Sequence, residues 1–196
     1  MTTLEIAGEL GEAVRGLTRR EYDALVETGV LEDEPVELLR GMVVTMAAKG
    51  VPHDMAVQWL NMWLARRLPD HLHVRVQSAW AATDDSEPEP DLAIVPARWS
   101  PPDGVRSHPQ VAELVVEVAG SSLRRDLVVK APIYAEASVP AYWIVDLGAR
   151  QVVVHTDPVD GVFAAVSRHR ADEVLMACGI EVPLADLFAF TFGEGA

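Results

Sequence analysis

The fold of this chain is decided by two apolar stretches and the residues after them, EPEPDLAIV at residues 87–95 and ELVVEVAGSSLRRDLVVK at residues 113–130. DLAIV and ELVVEV are continuous apolar runs of strand length, which is typical of central strands covered on both faces. Ser121 or Ser122 can cap a helix that continues to about Ala137. These stretches therefore predict two buried strands followed by a helix.

Helix signals occur on both sides of this region. Thr18 and Glu21 form a capping box, which predicts a short helix to about Glu27. Pro52 opens a longer predicted helix to about Leu68. A last short segment, LADLFAF, closes the chain.

Strand signals complete the pattern. VELLRGMVV predicts a hairpin that turns at Arg40 and Gly41. Further strands are predicted at LHVRV, AYWIVD, RQVVVHT and FAAVSRH. The predicted fold class is α/β (α+β), with one mixed sheet flanked by helices. We expect residues 1–16 to form a leader and residues 17–196 to form a single domain.

Composition limits the possible functions. The chain has 196 residues and 49% hydrophobic content, enough to bury one full core. No apolar run reaches the roughly 20 residues needed to cross a membrane, and the N-terminal region lacks a secretory signal, so we expect a cytoplasmic protein. The single cysteine, Cys178, is expected to be a buried apolar side chain. The net charge of −14 argues against a general basic face for DNA binding.

Three charged residues stand out within the deciding stretches. Asp91 begins one buried strand, Glu117 lies near the end of the next, and Lys130 follows on the predicted helix. Carboxylates on neighbouring strands can share a hard cation such as Mg²⁺, and an ammonium can offset charge on a phosphate. The pattern predicts a metal-dependent phosphodiesterase. Each residue also has a plainer interpretation: a strand-start aspartate, a salt-bridged edge glutamate, and an Asp126–Lys130 surface pair.

Two physical arguments favour the functional interpretation. An unpaired carboxylate inside an apolar strand costs several kcal/mol, and a cation next to Glu117 would remove that penalty. The chain uses arginine almost everywhere and has only two lysines, Lys49 and Lys130. A compact ammonium can approach a phosphate oxygen more closely than a guanidinium can.

The chain resembles the putative restriction endonuclease family of the Uma type, a former domain of unknown function within the PD-(D/E)XK nuclease superfamily. The resemblance spans about residues 18–156 and rests on the order of VELLRGMVV, VPHDM, EPEPDLAIV, ELVVEVAGSS, RRDLVVKAPIYAEASVPAYWIVD and VVVHT. It implies a restriction-endonuclease-like core, dependence on Mg²⁺ (with Mn²⁺ as a substitute), and hydrolysis of DNA.

The resemblance also implies roles for individual residues. Asp91, Glu117 and Lys130 are the expected catalytic residues, and Glu37 is expected to join Asp91 and Glu117 as a metal ligand. The superfamily pattern places a lysine two residues after the glutamate, where this chain has Ala119. Lys130 on the following helix is therefore expected to supply the ammonium. Candidate substrate-binding or supporting residues are His53, Glu89, Arg124, Arg125, Asp126 and Tyr134.

The expected function is that of a Mg²⁺-dependent endonuclease acting on DNA as a homodimer, because two active sites are needed to cut both strands. Two alternatives remain open. The acidity and the missing in-strand lysine favour a nuclease-like fold that serves as a binding or assembly module without cleavage. A metal-dependent hydrolase of a small phosphate ester would tolerate an acidic surface better than a DNA-binding enzyme.

Overall fold

The computed structural model describes residues 15–98 and 108–193, and in these ranges the chain forms four helices and ten strands. Most of the predicted leader and of the proline-rich loop after the first buried strand lies outside the described residues. In chain order the elements are α1 (Arg19–Glu27), β1 (Val36–Leu39), β2 (Met42–Thr45), α2 (Val51–Ala65), β3 (Leu72–Val76), β4 (Leu92–Pro96), β5 (Leu114–Ala119), α3 (Leu123–Arg125, Asp126–Lys130 and Ala131–Glu136), β6 (Ala141–Asp146), β7 (Gln151–Val159), β8 (Val162–Arg170), β9 (Val174–Ala177), β10 (Ile180–Pro183) and α4 (Leu184–Phe192).

Six strands form one mixed sheet in the order β3-β4-β5-β6-β7-β8. β5 and β6 are parallel, and the other neighbouring pairs are antiparallel. A parallel pair needs a crossover connection, and α3 supplies it between β5 and β6. The predicted mixed sheet flanked by helices is confirmed.

The sheet separates two apolar cores, because side chains alternate between its faces. Leu92 and Ile94 of β4 pack in a core with α2 and α4, whereas Ala93 and Val95 pack in a second core with α3. All six residues of β5 are buried, Glu117 among them. The continuous apolar runs in the sequence arise because both faces of these strands are covered.

Helix α3 is not the uninterrupted α-helix that the sequence predicted. Its middle turn, Asp126–Lys130, is π-helical, and the N–H of Ala131 donates to the carbonyl of Asp126. Pro132 gives a physical reason, because its ring would clash with the carbonyl four residues earlier and it has no N–H to donate. A wider turn before the proline relieves this conflict. The π-helical turn ends at Lys130, so it sets the position of the candidate ammonium.

The β1–β2 hairpin turns at Arg40 and Gly41, as predicted. Both residues have positive φ, at 52° and 76°, which is the conformation of the two-residue turn that suits the twist of paired strands. A Cβ on Gly41 would lie 2.8 Å from the Cα of Gly16, so the close approach also requires glycine. The hairpin places Glu37 on β1, where the side chain is fully buried.

Two further findings concern the sequence predictions. Cys178 is exposed, so the prediction of a buried apolar side chain is wrong. It lies in the two-residue turn between β9 and β10, outside the paired strands, with φ of 50°. Among the described residues, no helix has the length and apolar character needed to cross a membrane.

Candidate active site

Asp91 lies where β4 begins and β5 ends, at one end of the sheet. Paired residues of β4 and β5 run from Ile94 and Leu114 to Leu92 and Val116. Beyond that pair, the backbone N–H of Val118 donates to Oδ2 of Asp91 at 2.9 Å. The carboxylate therefore caps the strand end, as its position at the start of a buried strand predicted.

The other partners of Asp91 are side chains. Nε2 of His53, at the start of α2, lies 3.0 Å from Oδ2. An ionised carboxylate only accepts hydrogen bonds, so His53 donates through Nε2. Oδ1 has longer contacts, 3.4 Å to Nε2 of Gln77 and 3.6 Å to Nζ of Lys49. Oδ1 is therefore the oxygen of Asp91 that is less engaged.

The charges around Asp91 control its protonation. Burial raises the pKa of Asp91, but the hydrogen bond and charge of His53, the Val118 N–H and Lys49 outweigh burial, so the pKa is lowered overall. Burial lowers the pKa of His53, yet Asp91 reverses the effect and the net shift is upward. An ionised Asp91 beside a readily protonated His53 follows from these directions.

Glu37, Glu117 and Lys130 form a buried ionic group next to Asp91. The ammonium of Lys130 lies 2.9 Å from Oε2 of Glu37 and 2.9 Å from Oε1 of Glu117. The hydroxyl of Tyr134, one turn further along α3, donates to the same Glu117 oxygen at 2.8 Å. All four side chains are buried. The cation that was expected next to Glu117, to offset the energetic cost of burying its carboxylate, is therefore the ammonium of Lys130.

Burial shifts the titration of this group. Burial raises the pKa of Glu117 to about 8 against the opposing charge of Lys130, and the carboxylates of Asp91, Asp126 and Glu37 raise it further. Burial alone would lower the pKa of Lys130, but the surrounding carboxylates raise it overall. Both shifts share a cause, because neighbouring carboxylates favour the protonated form of Glu117 and of Lys130 alike.

A cavity of about 370 Å³ opens beside these residues. Its charged lining comes from four separate parts of the chain. Its apolar lining comes from residues 46–52 before and at the start of α2, the end of β5, the β6–β7 turn and the end of α4. Glu117 does not line the cavity and lies behind Lys130. The charged side chains in the lining are Glu37, Lys49, His53, Glu89, Asp91, Arg125 and Lys130.

The remaining candidate residues divide into two groups. Arg125 lines the cavity, and its Nη1 lies 3.8 Å from Oε1 of Glu37. Glu89 also lines it, and the Glu89 N–H donates to Oε2 of Glu37 at 3.1 Å. Arg124 is exposed and does not line the cavity. Asp126 is buried and accepts a 2.6 Å hydrogen bond from Ser122, so the interpretation of Asp126 and Lys130 as a surface pair is wrong.

The donor chemistry of the cavity suits a hard divalent cation. Oε1 of Glu37 is buried without a hydrogen-bond partner, and Oδ1 of Asp91 has only long contacts. Within residues 15–98 and 108–193, no three His, Cys, Asp or Glu side chains converge as a complete ligand set. Mg²⁺ commonly uses one or two protein carboxylates and fills its remaining positions with water and substrate oxygens. The residues present therefore fit Mg²⁺ as a partly hydrated ion.

A comparison with protein families shows which family the chain belongs to. A family model, Uma2, described as "Putative restriction endonuclease", matches residues 19–182. The chain belongs to the Uma2 family. The match includes Glu37, Asp91, Glu117 and Lys130, and so covers the whole ionic group of the candidate site.

Comparison with solved structures supports the Uma2 fold. The chain is similar to the crystal structure of a protein described as a putative nuclease belonging to DUF820, from Anabaena variabilis ATCC 29413. The TM-score is 0.66 at 10% sequence identity, and the match covers 80% of this chain and 91% of the other. At this identity the likeness concerns the nuclease-like fold alone. A search of curated proteins finds no match to this Uma2-family chain.

Sequence reasoning missed some residues of this Uma2 site. Gln77 and Lys49 contact Asp91, but only the rarity of lysine in the sequence drew attention to Lys49. Glu87 is also buried, at 4% exposure, although it lies in an acidic stretch that contains two prolines. Its backbone exchanges hydrogen bonds with Leu38 of β1, a contact that no local pattern revealed.

Proposed function

We propose that this Uma2-family chain is a Mg²⁺-dependent endonuclease that hydrolyses DNA phosphodiester bonds. The observation that carries the proposal is one cavity lined by the carboxylates of Asp91 and Glu37 and by both lysines of the chain. Carboxylates supply ligands for a cation, and ammonium groups supply positive charge for a phosphate. Membership of the Uma2 family supports the assignment.

Oδ1 of Asp91 and Oε1 of Glu37 are the oxygens that would hold the cation, because neither has a close hydrogen-bond partner. Glu117 belongs to the same predicted ligand set, although in this structure its Oε1 accepts from Lys130 and Tyr134. When bound, Mg²⁺ would polarise the phosphodiester and acidify a water ligand. The lowered pKa of Asp91 keeps its carboxylate ionised for this role.

Lys130 would act on charge that develops during the reaction. Its raised pKa keeps the ammonium charged, and its burial means that little water screens that charge. A fixed charge in a site with little water stabilises a transition state more strongly than the same charge would in bulk water. Glu117 holds Lys130 in place and Tyr134 donates to the same Glu117 oxygen, so both are positioning residues in this scheme.

The other cationic residues would bind and orient the substrate. Lys49 and Arg125 line the cavity and can contact phosphate oxygens on either side of the reacting one. His53 fixes the orientation of Asp91 through their 3.0 Å hydrogen bond. Because its pKa is raised, His53 can also donate a proton near neutral pH. A homodimer would place one such site on each DNA strand.

The proposal is tested by incubating the purified protein with supercoiled plasmid and Mg²⁺ or Mn²⁺. We expect metal-dependent nicking that EDTA abolishes and that is lost in Asp91→Asn. Calorimetry with Mg²⁺ alone separates the enzyme from a non-catalytic binding module. A protein that neither binds the ion nor cuts DNA would be the module, and the enzymatic proposal would be abandoned.

A second candidate function is hydrolysis of a small phosphate ester. The net charge of −14 and the modest cavity of about 370 Å³ favour it, because a polyanionic duplex is repelled by an acidic protein. Rates measured on a nucleotide phosphodiester and on duplex DNA at the same metal concentration distinguish the two. Faster turnover of the small diester, with no detectable nicking, would favour this second function.

A further inference from the structure

We infer that the cavity accepts one unpaired nucleotide at a time, with Phe192 contacting its base, so that single-stranded DNA is cleaved in preference to duplex DNA. The inference rests on the proposed function and adds a substrate class and a base-positioning residue to it. Three observations carry it: the mixed charged and apolar lining of the cavity, the setting of Phe192, and the size and charge of the site.

The lining of the cavity has a charged part and an apolar part. The charged residues come from β1, the start of α2, the segment before β4 and helix α3. The apolar residues lie partly on the segment that carries Lys49 and His53, at positions 46–48 and 52. The others are Leu147 of the β6–β7 turn, Val118 at the end of β5 and Phe192 at the end of α4. A phosphate alone needs no apolar wall. A nucleotide needs both parts, because its phosphate is charged while its base has flat apolar faces.

The ring of Phe192 is held in place by two neighbouring side chains. Its ring lies 6.5 Å from that of Phe188 at an interplanar angle of 15°, and the guanidinium carbon of Arg150 lies 4.3 Å from its centroid. The side chain is only half-buried and borders the cavity, although it packs against the core beneath α4. A fixed aromatic ring loses little conformational entropy when a base contacts it.

Size and charge argue against a duplex. A cavity of about 370 Å³ lies at the lower end of the range for small-molecule sites, and a base-paired duplex is far too wide to enter it. A duplex also carries twice the phosphate charge of one strand per unit length, so a protein of net charge −14 repels it more strongly than a single strand. A strand that is already unpaired presents a single nucleotide without the unpairing cost of a few kcal/mol.

The test uses three forms of one oligonucleotide: single-stranded, fully paired, and single-stranded with an abasic residue at the cleaved position. The variants are Phe192→Ala, Phe192→Trp and a matched control, Phe190→Ala. Phe190 lies on the same helix, packs half-buried against the same core and does not line the cavity. We expect wild type to favour the single strand over the duplex and to lose about tenfold in kcat/KM on the abasic form, the size of one base–aromatic contact.

Phe192→Ala should lose about tenfold in kcat/KM on the normal single strand and should match wild type on the abasic strand. Phe192→Trp should restore the difference in kcat/KM between the two substrates. Phe190→Ala should retain the wild-type ratio between the two substrates. Equal losses of Phe192→Ala on both substrates, or faster cleavage of the duplex by wild type, would overturn the inference. A purely structural role of Phe192 would lower both rates alike.

A binding measurement separates this inference from the proposed function. A dinucleotide that contains 2-aminopurine should lose fluorescence on binding to wild type and to Phe190→Ala, but not to Phe192→Ala. If wild type quenches the probe yet cleaves no phosphodiester, the base contact stands and the endonuclease proposal fails. If cleavage occurs without quenching, the base contact is refuted and the endonuclease proposal stands.

Discussion

The backbone N–H of Val118 donates to the carboxylate of Asp91 at 2.9 Å, where the two central strands stop pairing. The side chain of Asp91 thus takes the place of the next hydrogen bond between the strands. Val118 directly follows Glu117, so this contact fixes Asp91 beside the buried ionic group of Glu117 and Lys130. Strand pairing and the candidate site are therefore coupled through one carboxylate.

Asp91→Asn tests the charge of that carboxylate with little change in shape. Asparagine retains an oxygen that can accept from Val118, but it is a weaker ligand for a hard cation. We expect metal-dependent nicking to fall by about 100-fold or more, as when an electrostatic group is removed from an active site. Plasmid nicking measures the loss, and thermal denaturation checks that the variant folds.

Asp70→Asn is the matched control for this substitution. Its side chain is exposed in the loop between α2 and β3 and does not line the cavity. Nicking by Asp70→Asn should equal that of wild type. Equal activity in Asp91→Asn and wild type would remove Asp91 from the site.

Mg²⁺ should stabilise the folded protein against unfolding. A ligand at 100 times its Kd adds about 2.7 kcal/mol to the free energy of unfolding, which a rise in Tm reveals. Glu37→Gln should reduce the rise in Tm. It replaces a carboxylate, whose buried Oε1 has no hydrogen-bond partner, with an uncharged amide that is a weaker ligand for Mg²⁺. The quantity compared is the change in Tm on adding Mg²⁺, so any loss of stability from the substitution itself cancels. Glu32→Gln, on an exposed loop, should keep the full rise.

Lys130→Met should strongly destabilise the fold. It leaves the carboxylates of Glu37 and Glu117 buried without their shared cation, and breaking a buried pair costs about 3–5 kcal/mol. Urea denaturation measures the loss. Lys49→Met is the control, since the Lys49 side chain is 32% exposed and its ammonium lies 3.6 Å from Asp91. This substitution should cost less than about 1 kcal/mol. Comparable losses in the two variants would mean that Lys130 is not the central cation of this group.

Glu87 should make stability depend on pH. Burial raises its pKa from 4.5 to about 7, and the charge of Asp23 adds to the rise. Between these two pH values the folded state keeps a proton that the unfolded state has released, so stability falls as pH rises through this window. The pKa of nearby His108 is lowered, mainly by burial, so its charge does not offset the effect.

Glu87→Gln should flatten this dependence. Wild type should lose on the order of 2–3 kcal/mol in free energy of unfolding between pH 4.5 and pH 7 relative to the variant, because each pKa unit corresponds to about 1.4 kcal/mol. Urea denaturation at pH 4.5, 5, 6 and 7 gives the curves. Parallel curves for wild type and variant would show that Glu87 titrates normally in the folded state.

Much of the fold could be predicted because its signals are local. The capping box of Thr18 and Glu21 starts α1, and Arg40 with Gly41 forms the hairpin turn. Apolar runs marked β4 and β5 as central strands. The prediction of an uninterrupted α-helix failed at the π-helical turn before Pro132. The steric conflict at a proline can be relieved by a kink or by a wider turn, and hydrophobic periodicity does not distinguish the two.

The sequence by itself determined the elements, their apolar faces and the unusual placement of Asp91, Glu117 and Lys130, because propensity, turn chemistry and periodicity act between near neighbours along the chain. Only the tertiary structure decided which charges meet. Lys130 pairs with Glu37, 93 positions earlier in the chain, while Asp91 pairs with His53. These pairings depend on how the β1–β2 hairpin, α2 and α3 pack at one end of the sheet, and burial there sets the charge of each group.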